Sequence, residues 1–261
     1  FAAQAIMSGT QDVVIAGGVE SMSRAPMGSN YLPGSGISPI SDTIKQKYGV
    51  KGFSQFAGAE MVAKKHGFTR DDTDAFGVES QRRAAAATAS GAFKDEIVPV
   101  EIVTPEGETA FHDTDEGIRA GTTREALAGL KTMAEGGILT AGTSSQICDG
   151  SSAVLVASAA AVKRYGLTPL ARIHNLTVTA GDPVIMLEEP LFATDRALQR
   201  AGMKMADIDL YEVNEAFASI PMAWAKHTGA DLDKLNVNGG AIALGHPLGA
   251  TGTKLMTTLI Y

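Results

Sequence analysis

Short apolar runs alternate along this chain with stretches that carry one apolar face. Asp12–Ala16 is a β-branched run closed by Gly17-Gly18, the pattern of a buried strand entering a tight turn. Ile97–Val103, Ser151–Ala157, Ala171–Val178, Ile208–Val213 and Leu235–Ile242 read as further strands, Ser151–Ala157 as a buried one. Between them lie helical stretches. Phe1–Ser8 ends at Gly9, Phe56–His66 follows, and Arg70–Ser90 has Thr69 as N-cap, Asp71 and Asp72 in its first turn and Gly91 behind it. Thr123–Leu130 is a short helix, and Ser158 caps one running to Tyr165 and closed by Gly166. Thr194–Ala201, Asn214–Thr228 and Leu248–Tyr261 complete the set, the first two closed by Gly202 and Gly229. Strands separated by amphipathic helices imply βαβ units and a mostly parallel sheet. The stretch from Met22 to about Ser144 is helix and loop with few strands, and Arg24–Ser41 is rich in Gly, Pro, Ser and Asn; the region reads as an insertion in an α/β fold.

Composition narrows the function classes. The 261 residues are 44% hydrophobic and 20% charged, ordinary for a globular chain with a sizeable core. A net charge of −7 leaves no excess of cations for a general nucleic-acid surface. No apolar run approaches the eighteen or so residues of a membrane helix. A single cysteine excludes an intrachain disulfide framework and suits a reducing, cytoplasmic compartment. Phe1 and Tyr261 both fall inside helical patterns, so the expectation is that the chain begins and ends within elements.

Two late segments carry the chemistry: Tyr211-Glu212-Val213-Asn214-Glu215-Ala216-Phe217-Ala218, and Asn236 to Pro247 with its Gly239-Gly240 and Gly245-His246-Pro247 steps. Each leads an apolar run into a polar group just before a helix. His246 precedes a proline suited to a first helical position, and a helix N-terminus disfavours imidazolium. Neutral imidazole there accepts a thiol proton or donates to an oxyanion, unless the residue merely caps a loop. Asn214 is either the N-cap of the helix it opens or an amide directed at a ligand or an ordered water. Glu215 reads as a first-turn carboxylate stabilised by the helix dipole. Cys148, in a turn with no neighbouring cation or histidine, fits a structural thiol better than a nucleophile. None of the histidines has a second ligand at metal-site spacing, so no metal is expected. Gly245, Gly249 and Gly252 match no phosphate-binding motif.

These two segments resemble the thiolase family. So do Ala16-Gly17-Gly18-Val19-Glu20-Ser21-Met22-Ser23, Asp74-Ala75-Phe76 with Ser80-Gln81, Phe93 to Val100, and Ala141-Gly142-Thr143-Ser144-Ser145 followed by Asp149-Gly150. The likeness spans essentially the whole chain in order. It implies a layered αβαβα architecture, incomplete at both ends. Residues 1–21 and 145–167 would belong to the N-terminal half, 22–144 would be an inserted coenzyme A-binding loop domain, and 168–261 the C-terminal half.

The resemblance also implies roles. His246 would activate a cysteine nucleophile and contribute to an oxyanion hole, and Asn214 would hold the water that completes it. Preorganised donors of this kind are worth roughly 3–4 kcal/mol each. Ala216 and Phe217 would line the pantetheine slot. Arg119, Ser145 and Met133 match coenzyme A-contacting positions, and Lys131 would offer charge to its phosphates. The family's two reactive cysteines would fall before Phe1 and after Tyr261, and Cys148 matches neither, so this chain alone is expected to be inactive. Ser54-Gln55-Phe56 stands where short-chain biosynthetic members carry His-Met-Gly, which favours a degradative 3-ketoacyl-CoA enzyme, and Ala126 replaces a serine near the adenine in some members. The implied protein is a cytoplasmic homodimer or homotetramer using coenzyme A and acetyl-CoA as substrates, with no permanently bound cofactor, nucleic acid or membrane partner. The alternatives are a non-catalytic acyl-CoA or lipid-binding relative and a thiol hydrolase using Cys148.

Overall fold

The computed structural model describes residues 1–29 and 40–261. The greater part of the loop expected over Arg24–Ser41 therefore lies outside the described residues. Helix α1 (Ala2–Met7) lies against a two-stranded sheet formed by β1 (Val13–Ser21) and, 128 residues later, its antiparallel partner beginning at Asp149. Gly17-Gly18 forms no turn: both glycines sit inside β1. The reason is packing, since a Cβ on Gly18 would overlap the Gly249 carbonyl.

The first described helices after β1 are α2 (Asp42–Tyr48), α3 (Gln55–His66) and α4 (Arg70–Ser90). Thr69 and Asp72 form a reciprocal capping box at the start of α4, with Asp72 N–H donating to Thr69 Oγ1 at 3.2 Å and Thr69 N–H to Asp72 Oδ2 at 2.8 Å. Thr69→Ala is expected to lower stability by about 1 kcal/mol, read as a lower denaturant midpoint at unchanged slope. The run after α4 pairs only over β2 (Val100–Val103), in a hairpin with β3 (Thr109–His112) that the hydrophobic pattern did not reveal. The helix α5 (Arg124–Ala128) packs on α4, and Thr123 caps it.

Beyond it run β4 (Asp149–Ala157), the partner of β1, and α6 (Ala159–Tyr165), capped by Ser158. β4 is not fully buried: along both strands of the pair, even-numbered positions are covered while Val13, Ile15, Val19 and Leu155 are exposed. α7 (Glu189–Ala201) starts five residues before the expected Thr194, with Pro190 in its first turn and Thr194 back-bonded to the Pro190 carbonyl. α8 (Ser219–Thr228), α9 (Ala241–Leu244) and α10 (Thr251–Ile260) complete the chain, and α10 packs on the β1–β4 pair.

The mostly parallel sheet is not what forms among the described residues. Both two-stranded sheets are antiparallel, and parallel pairing is limited to one bridge between Tyr211 and Leu235. Ala171–Val178 and Ile208–Val213 form no regular strand, and neither does Leu235–Ile242, whose last two residues enter α9. A β-branched run becomes a strand only with a ladder partner, and among the described residues 171–178 has none. The main core joins Ala59 and Val62 of α3, Leu139, Leu191 of α7, Phe217 and Ile220, Ala223 and Trp224 of α8. A second cluster packs Ala84 and Ala87 of α4 and Phe93 on Ala243 and Leu244 of α9. No described helix is long and apolar enough to cross a membrane.

Candidate active site

Asn214 does not open a helix. α8 begins five residues later, at Ser219, with Ala218 as N-cap, so no cap bond consumes the Asn214 amide. The intervening backbone is held from outside. Ser145 N–H donates to Ala216 O at 2.9 Å, and Ala218 N–H donates to Thr143 O at 2.9 Å. With its backbone claimed by neighbouring segments, the stretch forms no helix before Ser219 and leaves Asn214 half-buried.

His246 approaches from the other side. It sits in a turn that follows α9 rather than one residue before a helix, since α10 starts only at Thr251. Its N–H donates to Gln146 O at 3.2 Å. The Gln146 amide in turn donates to the carbonyls of Gly117, Ile242 and Ala243 at 2.7, 2.9 and 3.1 Å, which secures the end of α9. Gly245 has φ +81°, and a Cβ there would overlap Cys148 Sγ, so only glycine lets the turn close over the thiol.

The two side chains meet, with Asn214 Nδ2 3.3 Å from His246 Nε2. On the far side of the ring, Nδ1 lies 2.6 Å from Thr251 Oγ1, and that hydroxyl donates to Pro247 O at 2.9 Å. A hydroxyl has one proton, so Thr251 accepts from Nδ1–H. The partners thereby assign the tautomer: Nδ1 carries the proton, and the Nε2 lone pair faces the Asn214 amide. Burial, and then the nearby Lys254 charge, push the His246 pKa down and keep the ring neutral. The cause is not the expected helix terminus. Thr251→Val is expected to leave Nδ1 without its acceptor, giving a mixture of tautomers in ¹⁵N spectra of the ring, whereas Thr251→Ser preserves the single one. Asn214 Oδ1 is the one buried side-chain polar atom without a protein partner among the described residues. Asn214 also lines a cavity of about 650 Å³ with Glu212, Ala216, Ile220 and Trp224, so it joins this space to the imidazole.

The family model for the thiolase N-terminal domain matches residues 1–160, and that for the thiolase C-terminal domain matches residues 167–261. The chain belongs to the thiolase family. It is 48% identical over 265 residues to a steroid 3-ketoacyl-CoA thiolase, FadA6, of Mycobacterium tuberculosis, covering 100% of this chain and 64% of that protein. It is 44% identical over 269 residues to an acetyl-CoA acetyltransferase of Pseudomonas aeruginosa, covering 99% and 68%. The crystal structure of human mitochondrial 3-ketoacyl-CoA thiolase superposes with a TM-score of 0.85 at 38% identity, over 98% of this chain and 67% of that one. The chain thus spans about two-thirds of the length of these relatives, and its α/β architecture is that of the thiolase fold.

The other positions singled out in this thiolase chain fall into two groups. Met133, Ser145, Ala216 and Phe217 come together: Ser145 bonds the Ala216 carbonyl, Ser144 bridges to Phe217, and the Ser144 hydroxyl, which donates to Thr140 O at 2.8 Å, lies 3.1 Å from Met133 Sδ. Phe217 is buried, with Phe56 edge-on against it at 5.4 Å between ring centroids. Ser54, two residues earlier, caps α3, so the departure at 54–56 has a local structural role as well. Arg119 is exposed and tied to the His246 side only through its backbone, whose N–H donates to Gln81 Oε1 at 2.7 Å while Gln81 donates to Ile242 O. Lys131 is exposed at the start of the Thr132–Thr140 bridge.

Glu215 is not a first-turn carboxylate of a helix. It is fully buried and accepts from Ser80 Oγ at 2.6 Å, Asn236 Nδ2 at 2.9 Å and Ile242 N at 3.2 Å. Burial drives its pKa up, against those hydrogen bonds and the Arg83 charge. Sequence reasoning missed Thr251, Gln146 and Asn236. The five-residue step from His246 to Thr251 across a proline turn was the one available signal for Thr251. The others act across 96 and 21 residues of sequence separation, beyond any local pattern.

Proposed function

We propose that this chain carries the acyl-thioester site of a degradative thiolase, which transfers acyl groups between acetyl-CoA and acyl-CoA by thiolytic cleavage of 3-ketoacyl-CoA or the reverse Claisen condensation. The observation that carries the reading is the 3.3 Å approach of Asn214 and His246, with Asn214 Oδ1 left as a buried acceptor. An unpaired buried acceptor costs about 1–3 kcal/mol unless a ligand or water satisfies it. His246, neutral and with Nε2 unprotonated, takes the proton of an attacking thiol. The thiolate adds to the thioester carbonyl, the bond from that carbon to the departing sulfur breaks, and the departing thiolate recovers the proton from Nε2. Asn214 holds the water that faces the developing oxyanion, and the protonated Nε2 donates to the same oxygen.

Cys148 is not the attacking thiol in this scheme. Its pKa is raised by burial, and its sulfur packs beneath Gly245. No residue of this chain is assigned as the nucleophile or as the second acid/base. Residues 22–144 form the loop domain, and Met133, Ser145, Ala216 and Phe217 line the pantetheine path. Arg119 and Lys131 meet the phosphates at its mouth. Coenzyme A and acetyl-CoA are substrates rather than resident cofactors, and the complete protein is a cytoplasmic homodimer or homotetramer.

Calorimetry with acetyl-CoA and the 261-residue chain tests the reading. Binding is expected, weakened by Arg119→Ala, while thiolysis of acetoacetyl-CoA stays at the level of a His246→Ala control. A chain that binds neither acetyl-CoA nor coenzyme A removes the site. Turnover well above the control places the nucleophile within this chain and overturns that part of the reading.

A further inference from the structure

Asn214 has an unusual support. Asn236 is buried and adopts φ +47°, a left-handed conformation rare outside glycine and best tolerated by asparagine and aspartate. Its side-chain amide pairs with the Val213 backbone in both directions. Val213 N–H donates to Asn236 Oδ1 at 2.8 Å, and Asn236 Nδ2 donates to Val213 O at 2.8 Å. The same Nδ2 donates to Glu215 Oε1 at 2.9 Å. One amide therefore holds the residue before Asn214 by its backbone and the residue after it by its carboxylate. The Asn236 backbone is fixed as well, its N–H donating to Tyr211 O at 2.9 Å.

This arrangement does the work of a strand neighbour. A regular ladder would satisfy Val213 but would run on past Asn214 and claim its backbone too. A side chain in the left-handed conformation delivers both bonds at one point and then stops, so the chain can turn Asn214 toward His246. The other arm of the clamp is rigid, because Glu215 is anchored on Ser80 and on the α9 backbone at Ile242.

We propose that Asn236 is a positioning residue that sets the Asn214 amide on His246 Nε2 by clamping Val213 and Glu215. The proposal deepens the reading of Asn214 and His246 as the reacting pair and rests on it. Asn236 touches neither reacting group, so its effect must pass through Asn214.

The test reads the ring of His246 rather than turnover. In ¹⁵N spectra of the histidine-labelled chain at a pH where the ring is neutral, loss of the Asn214 donor moves the Nε2 resonance downfield, toward the free unprotonated position. Asn214→Ala gives the full displacement. Asn236→Gly accepts φ +47° and removes the amide, and it is expected to give the same displacement, with none further in the double variant. A folded Asn236→Gly chain with wild-type Nε2, or a double variant displaced beyond either single one, overturns the clamp. An unmoved resonance in Asn214→Ala instead overturns the Asn214–His246 contact itself, and the clamp with it. Should Asn236→Gly not fold, the unaltered chain decides. The Asn236 side-chain amide protons are then expected to exchange with solvent far more slowly than those of exposed asparagines. Exchange at the exposed rate overturns the proposal.

Discussion

Glu215→Ala is expected to lower the unfolding free energy by about 3 kcal/mol, among the largest losses available from a single side chain here. The carboxylate is fully buried and accepts from three donors on three segments: Ser80 of α4, Asn236, and the backbone of Ile242 in α9. Truncation leaves those donors without an acceptor, at about 1–3 kcal/mol for each that cannot find another, and opens a cavity as well. Relief from burying an acid offsets part of that loss, which is why the sum of the penalties overstates the effect. Gly240 packs directly on the carboxylate, so closely that a Cβ there would overlap it, and truncation strips that backbone of its neighbour. Glu215→Gln separates the contributions. It keeps the volume and can still accept from Ser80 and Ile242, but it sets an amide donor against Asn236 Nδ2, so an intermediate loss is expected. Denaturant midpoints at unchanged slope measure all three chains, and a loss below about 1 kcal/mol for the alanine variant sinks the idea that this carboxylate ties the segments together.

Stability is expected to fall as pH rises from about 4.5 toward 8, and Glu212 is a main cause. Burial first, then the neighbouring Glu215, push its pKa up from 4.5 to about 8, with Lys254 opposing and Glu96 adding to the rise. The sign follows from proton binding. Between the two values the folded chain holds a proton that the unfolded chain has released, so folding is favoured at low pH and the advantage is lost on the way up. The contribution is fully present below the ordinary carboxylate value and gone above about 8. The difference corresponds to an upper bound of about 5 kcal/mol, and water reaching this partly open side of the cavity reduces it. Glu212→Gln mimics the protonated form. Its unfolding free energy is expected to fall less steeply over this interval and to exceed that of the unaltered chain most at the alkaline end. Equal slopes for the two chains between pH 5 and pH 8 would falsify the assignment. Glu215, Glu96 and Asp115 are raised by burial too, so a residual slope from them remains in the variant.

Much of this was legible in the letters where the physics is local. The capping box of Thr69 and Asp72, the Ser158 cap, and the glycines at 91, 166, 202 and 229 in left-handed conformation all lie within a turn of the element they bound. Each is a contest between a side chain and the nearest backbone groups, and sequence carries all its terms. The strands fared worse because a strand is half of a pair. Val13–Ser21 finds its partner at Asp149–Ala157, whereas Ala171–Val178, with an equally suitable composition, pairs with nothing among the described residues.

The candidate site divides along the same line. Sequence alone, through the order and spacing of its motifs, determined the family and named Asn214 and His246 as the groups to watch. Only the tertiary structure decided that they touch, that Thr251 fixes the imidazole tautomer, and that burial rather than a helix terminus keeps the ring neutral. It also moved Asn214 off the cap of a helix and Glu215 into the core. These outcomes depend on which distant segment occupies the space beside a residue, and that is settled by packing and hydrogen-bond satisfaction over the whole chain rather than by any local preference.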